Sequence, residues 1–325
     1  MRVKILLMVI LLTISTFAQT YLRNEPFAHT YSIVAFDPQT GDMGVAVQSH
    51  WFSVGTIVSW GEAGVGVIAT QSFVNASFGP RGLALLKQGK SPHEVVDELI
   101  KSDEGRDFRQ LAVLDFKGRA ASFTGAKCIQ PAGNIVGENF SVQANLMLND
   151  KVWPAMAESI KNSKGPLAER MLAALEAAEE SGGDIRGKQS AALLVVRGKS
   201  TGNIWEDRLV DLRVDDHSEP LVELRRLLTV HRAYEHMNNG DLAVEKNDMD
   251  KAMAEYSAAM KMFPENLEMK YWTAVALANK GNIREALPMF KEIFSKNNNW
   301  KILTPRLVPS GLLTVDEKTL NEIVK

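Results

Sequence analysis

Cysteine is nearly absent from this sequence, since Cys128 is the only one in 325 residues. An intramolecular disulfide is therefore excluded, and an apolar core has to supply the stability. Cys128 follows Lys127 directly, and neighbours on a strand point to opposite faces. A reactive thiol needs a cation or a helix N-terminus beside it. We therefore expect Cys128 to be a buried structural residue.

Charge of one sign is also lacking. The 37 Lys and Arg residues nearly balance the 39 Asp and Glu residues, so the formal net charge is −2 and the isoelectric point is about 6.3. No run of five or more like charges occurs. Proteins that bind nucleic acid present a concentrated basic surface, so we expect no nucleic-acid partner.

Common metal and nucleotide motifs are missing as well. The sequence has no His-Glu-x-x-His pattern, no Cys-x-x-Cys pair and no Gly-x-x-x-x-Gly-Lys-Ser/Thr loop, so we expect neither a cofactor nor a metal. Asp215-Asp216-His217 leaves a metal open, but three consecutive residues on an extended chain do not converge on one point. The Ser-Glu-Pro that follows favours a helix start with salt bridges.

The first 18 residues have the pattern of a signal peptide. Arg2 and Lys4 precede an apolar run from 5 to 12, and Thr16-Phe17-Ala18 supplies small residues before a cut at Gln19. The apolar run is short for a membrane span, although an uncleaved anchor is an alternative. We expect an exported protein, periplasmic or extracellular, without a stable membrane anchor.

An α+β fold is indicated for residues 30–230. Apolar alternation and turn residues predict strands at 32–36, 43–49, 54–60, 64–70, 110–115, 119–124, 140–145, 191–196 and 208–214. Helices are predicted at 82–88, 95–101, 151–161 and 166–180, the second after a capping box formed by Ser91 and Glu94. Sheets packed on each other and covered by helices would fit this order.

Residues 231–325 have a different character, because the β-branched runs stop and a repeat begins. Gly240, Ala243, Ala252 and Tyr256 recur 34 residues later as Ala274, Leu277, Ala286 and Phe290. The spacing resembles the tetratricopeptide repeat. Two repeats are fewer than the roughly three that are stable alone, so we expect docking on the first domain, on the last helix, on a second copy or on a protein partner. A generic helical hairpin is the alternative.

Thr30 and Ser32 open a strand-like run soon after the leader. If the chain were cut before Thr30, that residue would carry both a nucleophilic hydroxyl and an α-amine that titrates at about 7.7–8 and can accept its proton. Residues 19–29 would then be a propeptide. Ser32 is a second-choice nucleophile, two residues inside the strand, or a substrate-binding side chain.

Four other polar residues are candidates for the same site. Gln71 and Asn75 lie between a strand and a helix, where neutral amides can bind substrate or stabilise an oxyanion. Asn145 ends another strand, and His50 ends the strand that pairs with the one from Thr30. The alternatives are loop-stabilising amides and a packed surface histidine.

Several separate runs of this sequence match one family in order. The chain resembles the bacterial and archaeal family called domain of unknown function 1028, over about residues 30–230, with a helical extension as in some members. The matching runs are 30–35, 44–50, 64–66, 71–82, 143–147 and 211–217.

The resemblance implies an N-terminal-nucleophile hydrolase, a four-layer αββα sandwich that cuts amide or peptide-like bonds. Carried over, it makes Thr30 the nucleophile, provided that the bond from His29 to Thr30 is cut. The expected function is thus an exported amide or peptide hydrolase, with a small-molecule or peptide substrate. The alternative is a non-catalytic periplasmic binding or scaffolding protein that recruits a partner through its repeats.

Overall fold

The computed structural model describes residues 27–325. The expected leader at 1–18 and residues 19–26 of the expected propeptide lie outside the described residues. The chain divides between Arg225 and Arg226 into two compact units. Across residues 27–325, no helix combines the length and the apolar character that a membrane crossing requires.

The first unit is built on antiparallel strands. Their bounds are β1 Phe27–Ala28, β2 Thr30–Phe36, β3 Met43–Ser49, β4 Ser59–Glu62, β5 Gly66–Phe73, β6 Arg109–Asp115, β7 Ala120–Thr124, β8 Gly133–Gly137, β9 Phe140–Ala144, β10 Ser190–Val196 and β11 Arg208–Val214. One sheet has the order β1-β5-β6-β7, with β4 also paired to β5. The other has the order β11-β10-β3-β2-β9-β8.

The two sheets share an apolar core, because alternate residues of each strand point toward the other sheet. Val45 and Val47 of β3 pack in one cluster with Val67 and Ala69 of β5. Ala28 of β1 belongs to the same cluster and is fully buried. The chain therefore passes from β1 in one sheet to β2 in the other across the single residue His29.

Helices accompany both sheets of this unit. They are α1 Gly55–Val58, α2 Phe78–Lys87, α3 Pro92–Lys101, α4 Val152–Asn162, α5 Leu167–Glu180, α6 Ile204–Asp207 and the start of α7 Pro220–Glu245, with a 3-10 turn at Arg106–Phe108. Helices α2 and α3 pack on the first sheet, where Phe78 and Leu99 meet Ile68. Helix α5 packs on the second, where the Tyr31 hydroxyl donates to Glu179 at 2.7 Å. The fold is thus mixed α and β, as expected.

Most predicted elements are present, one predicted strand is wrong, and several short elements were not predicted. The capping box is confirmed, since Ser91 and Glu94 bond each other's backbone N–H groups. The predicted strand at 54–60 is wrong, because α1 occupies its first half and only Ser59–Glu62 is extended. The Ser190 hydroxyl accepts from the N–H of Val54 and fixes that end outside the sheet. Strand β8 was not predicted.

The second unit is entirely helical in the described chain. It holds the rest of α7, then α8 Met249–Met262, α9 Leu267–Asn279, α10 Ile283–Lys296, α11 Asn299–Leu303, a 3-10 turn at Thr304–Leu307, and α12 Glu317–Ile323. The repeat positions form its core, since Tyr256 and Phe290 are buried with Ala252 and Ala286. A C-terminal helical region, as expected from the sequence, is therefore present.

Candidate functional site

Thr30 begins β2 and lies between the two sheets, fully buried. Its backbone pairs with Ser49 of β3. Its hydroxyl donates to the carbonyl of Ala28 at 2.8 Å. Because Ala28 lies two residues earlier, this bond turns the hydroxyl back along the chain toward the peptide that joins His29 to Thr30.

The carbonyl of His29, which belongs to that peptide, accepts two hydrogen bonds. The Ser49 hydroxyl donates at 2.6 Å and the Arg186 guanidinium donates at 2.7 Å. Arg186 is held in turn by Asp184, through contacts of 3.0 and 2.7 Å. We call Ser49 and Arg186 the carbonyl clamp. A cation and a hydroxyl at one carbonyl oxygen are the kind of donors that stabilise a developing oxyanion.

The side chain of His29 is also buried, with 4% of its surface exposed. Its Nδ1 lies 2.8 Å from Oδ1 of Asn145, and its ring meets Phe73 edge-on at 5.6 Å between centroids. Burial lowers the pKa of His29 below its ordinary value, and the charge of Arg186 lowers it further, against the Asn145 hydrogen bond. His29 is therefore a neutral imidazole near pH 7.

A buried network of amides continues from this point between the sheets, and we call it the amide network. Gln110 anchors it, because its Nε2 donates to the carbonyls of Ala144 at 2.9 Å and Gly133 at 3.3 Å. The Oε1 of Gln110 then accepts from Gln71 at 2.7 Å and from Asn145 at 2.8 Å. The two backbone carbonyls fix the amide of Gln110, whose Oε1 must then accept from Nδ2 of Asn145. The Oδ1 of Asn145 is therefore the atom that faces His29, and it accepts from a protonated Nδ1.

Ser32 lies inside the same network and has both of its hydrogen-bonding roles filled. It donates to Oε1 of Gln71 at 2.6 Å and accepts from Nε2 of Gln143 at 2.6 Å. Oε1 of Gln143 accepts from Ser141 at 3.1 Å. Ser32 therefore orients the amides, and its hydroxyl does not face the His29–Thr30 peptide bond.

The amide network also holds the backbone of Thr30. The Thr30 carbonyl accepts from the backbone N–H of Asn145 at 3.1 Å and from Nε2 of Gln71 at 3.1 Å. A donor in β5 of one sheet and a donor in the residue that follows β9 of the other thus fix the head of β2. A side chain that must react at one place gains from this preorganisation.

The structure brings Thr30, Ser32, Gln71 and Asn145 together, but it places Asn75 elsewhere. Oδ1 of Asn75 accepts from the backbone and the hydroxyl of Ser77, at 3.2 and 2.7 Å, in the turn before α2. This is the loop-stabilising alternative weighed for Asn75.

His50 follows β3 and is exposed, at the edge of the site. Its backbone N–H donates to Asp184 at 3.3 Å, the carboxylate that also holds Arg186. The main chain of His50 thus supports the carbonyl clamp.

The other candidates of the sequence stand apart from the site. Asp215 accepts from Ser53, Asp216 accepts from Gln189, and His217 accepts from the backbone of Glu219 just before α7. The three side chains thus bond to three different residues and do not converge on one point. Within residues 27–325, no group of three or more His, Cys, Asp or Glu side chains could hold a metal ion.

Cys128 is buried and its thiol donates to the carbonyl of Arg109 at 3.3 Å. Burial raises the pKa of this thiol, and the hydrogen bonds around it oppose that shift only in part. A raised pKa means little thiolate at neutral pH. The expectation of a structural cysteine is confirmed.

Sequence reasoning missed Gln110, Asp184 and Arg186. A signal for Gln110 was available, since it opens the predicted strand at 110–115 directly before the apolar run 111–114, and a polar side chain buried there needs partners. Arg186 lies in a loop and carries no such signal. A Gly-x-Ser-x-Gly spacing is present at 198–202, but its Ser200 donates to Asp207 in the connection between β10 and β11, away from the site.

The fold and site together define a class: a mixed α/β protein whose antiparallel sheets enclose a chain of amides headed by a buried threonine. The model of a family of unknown function, DUF1028, matches residues 30–224, so the chain belongs to that family. It is similar to a protein of Silicibacter pomeroyi whose crystal structure bears the same family name. That likeness has 33% identity and a TM-score of 0.57, and covers 62% of this chain and 85% of the other. No curated protein matches the chain.

Proposed function

We propose that this chain is an exported amide- or peptide-bond hydrolase of the N-terminal-nucleophile type, with Thr30 as the nucleophile after the His29–Thr30 bond is cut. The observation that carries the proposal is the carbonyl clamp. Ser49 and Arg186 polarise the carbonyl of the one peptide bond whose cleavage would free the amine of Thr30.

The cut can be made by the chain itself. The Thr30 hydroxyl attacks the His29 carbonyl carbon and closes a five-membered ring, and the carbonyl clamp stabilises the oxyanion. The C–N bond then breaks, the nitrogen takes up the hydroxyl proton, and His29 is left as an ester on Thr30. Water hydrolyses this ester, which releases the His29 carboxylate and leaves a free Thr30 amine.

Turnover would reuse the same groups. The hydroxyl of Thr30 loses the Ala28 carbonyl as a partner when residues before 30 leave, and its proton passes to the new amine, the general base. The substrate carbonyl oxygen takes the place of the His29 oxygen between Ser49 and Arg186. Asn145 and Gln71 hold the Thr30 carbonyl, which makes them positioning residues.

The finer features of the molecule belong to the same proposal. Helices α2 and α3 on one sheet and α5 on the other support a four-layer αββα sandwich of the N-terminal-nucleophile type. The buried repeat positions in the second unit support a tetratricopeptide-like region that binds a second copy or a protein partner. The leader pattern at 1–18 supports export to the periplasm or beyond.

The test is the N-terminus of the protein recovered from its own compartment, read by intact mass. We expect a chain that begins at Thr30, and a Thr30→Ala variant that keeps residues before 30. The matched control is His93→Asp, at an exposed position on α3, which should be cut as the parent is. A parent chain that begins at Gln19 would rule out the hydrolase.

One observation favours a second function, a non-catalytic binding or scaffolding protein. Residues Phe27–Ala28 are paired with Ser72 and Phe73 of β5, so the uncut chain completes the sheet edge. An N-terminus at Gln19 on a folded chain, together with retention of a partner by the helical unit, would favour this function.

A further inference from the structure

The segment before Thr30 occupies the place that a substrate must take. In the proposed cut, the acyl group on Thr30 is His29 with the residues before it. In turnover, the acyl group on Thr30 is that of the substrate. In both esters the oxygen is that of the Thr30 hydroxyl, and the acyl carbonyl faces the carbonyl clamp. The residues around 27–29 should therefore also surround the acyl half of a substrate.

These surroundings select an extended backbone. Strand β1 runs antiparallel to the end of β5, with Ala28 opposite Ser72 and Phe27 opposite Phe73. Ser72 has a φ of 73°, which is rare for a residue with a side chain. Such conformations persist where the surroundings enforce them, and they cluster at binding sites. Added strands of this kind obtain affinity from main-chain hydrogen bonds.

The two positions nearest the cut differ sharply in size. Ala28 is fully buried in the core cluster shared by the two sheets, so a longer side chain there would displace packed atoms. His29 lies in a slot between Phe73 and Asn145, and Phe73 packs on Phe108 at 5.2 Å between centroids. This slot fits a planar ring, and Oδ1 of Asn145 fits a ring N–H.

We propose, on the basis of the proposed function, that the substrate is a peptide whose acyl half adds to the edge of β5, with a small residue where Ala28 lies and a planar ring, best with an N–H donor, next to the scissile carbonyl. Residues 27–29 are then the first substrate of the enzyme. The amine half is not restricted by this segment.

The experiment uses the cut protein, residues 30–325 with both units present, and four fluorogenic peptides. The parent is acetyl-Phe-Ala-His-aminomethylcoumarin, and the others carry Phe or Gly for His, or Leu for Ala. We expect kcat/KM for the His peptide to exceed that of the Gly and Leu peptides at least ~10-fold, with the Phe peptide between them. Gly removes the ring contacts, Phe removes only the ring N–H, and Leu in place of Ala overfills a packed position.

A variant pair tests the slot itself. Phe73→Ala should reduce the preference for His over Gly at least ~3-fold. Phe116→Ala, an exposed aromatic residue near the β6–β7 turn, should leave the preference unchanged. An equal preference for His over Gly in Phe73→Ala and in the unsubstituted protein would show that Phe73 does not form the slot.

The outcomes separate the two proposals. The inference about the acyl half is wrong if the cut chain hydrolyses the Gly or Leu peptide as fast as the His peptide, or hydrolyses none of the four. The N-terminus at Thr30 would still support Thr30 as the nucleophile. If the chain is never cut between His29 and Thr30, the proposed function fails and the inference fails with it.

Discussion

At the scale of single residues, Arg186 is the donor that we expect to matter most for the cut, because it places a fixed positive charge at the His29 carbonyl. Asp184 holds this guanidinium from behind. Neither residue bonds the Thr30 hydroxyl in the structure. Removal of Arg186 therefore tests the proposed oxyanion role without removing Thr30, the proposed nucleophile.

We expect Arg186→Met to slow the appearance of the Thr30 N-terminus by ~10²–10³, the usual loss for one oxyanion donor. The measurement is a time course of intact mass after synthesis. Arg208→Met removes an exposed arginine that pairs with Asp211 on β11, and it should cut at the parent rate. An unchanged rate in Arg186→Met would show that Arg186 does not stabilise the oxyanion of the cut.

His29 gives the uncut chain a pH response. Its pKa is lowered in the fold, so the unfolded chain binds the proton more readily. The stability that depends on neutral His29 is complete above the ordinary pKa of about 6.5 and is lost as the pH falls through the lower folded pKa.

The prediction is read from denaturant unfolding of the Thr30→Ala chain, which retains His29, between pH 8 and pH 5. Its stability should fall below about pH 6.5 more steeply than that of the same chain with His29→Gln. Parallel curves for the two chains would contradict a lowered pKa of His29 in the fold.

At the scale of elements, the start of α2 depends on a close approach to β4. A Cβ added at Gly79 would lie 2.2 Å from the ring of Trp60, a rigid group that cannot withdraw. At Gly82, three residues on, the added Cβ would meet the far end of Ile68 at 2.4 Å, and that side chain can rotate.

We therefore expect Gly79→Ala to destabilise the first unit by about 1–3 kcal/mol, although alanine favours a helix more than glycine does. Gly82→Ala should change stability by about 1 kcal/mol or less, since helix propensity and repacking oppose each other. Urea denaturation of both variants checks this, and equal effects would show that Trp60 yields.

Elements were predictable where local pattern and packing agree. Residues 43–49 alternate in character and form β3 at those bounds. Residues 54–60 are rich in β-branched types but form a short helix first. The N–H of Val54 bonds to Ser190, 136 residues away, and no local pattern shows this contact. Strand β8 contains little beyond glycine, asparagine and two apolar residues, and it exists through pairing with β9.

The candidate site was predictable in part for the same reason. Thr30, Gln71 and Asn145 stand out at strand ends in the sequence, and the structure brings them together. Arg186 gains its role from a partner far along the chain, which no local pattern encodes. The partners of Gln110 are also distant, and only its place beside an apolar run marks it in the sequence. Asn75 lies close to Gln71 in sequence, yet the turn before α2 takes it to Ser77.

At the scale of the whole molecule, the chain is two units with separate cores. All residues at the His29–Thr30 bond lie in the first unit, and Phe290 is buried in the second among Tyr271, Phe294 and their neighbours. Damage to the helical core should therefore leave the cut intact.

Phe290→Ala should destabilise the helical unit by about 3–5 kcal/mol, the usual cost of emptying a buried aromatic site. Thermal unfolding followed by circular dichroism should show the helical transition shifted or lost, with Thr30 still exposed in the intact mass. Ile302→Ala, at an exposed position in the same unit, should behave as the parent. Loss of the cut in Phe290→Ala would mean that the units mature together.

The carbonyl clamp determines when, after synthesis, the chain could be cut. Its two donors lie 20 and 157 residues from His29 along the chain, so they meet only when the sheets have assembled. A nascent or misfolded chain would hold its threonine in an ordinary amide and be inert. If the proposed function holds, only a folded chain would be cut, and the proposed hydrolase would stay inactive until folding was complete.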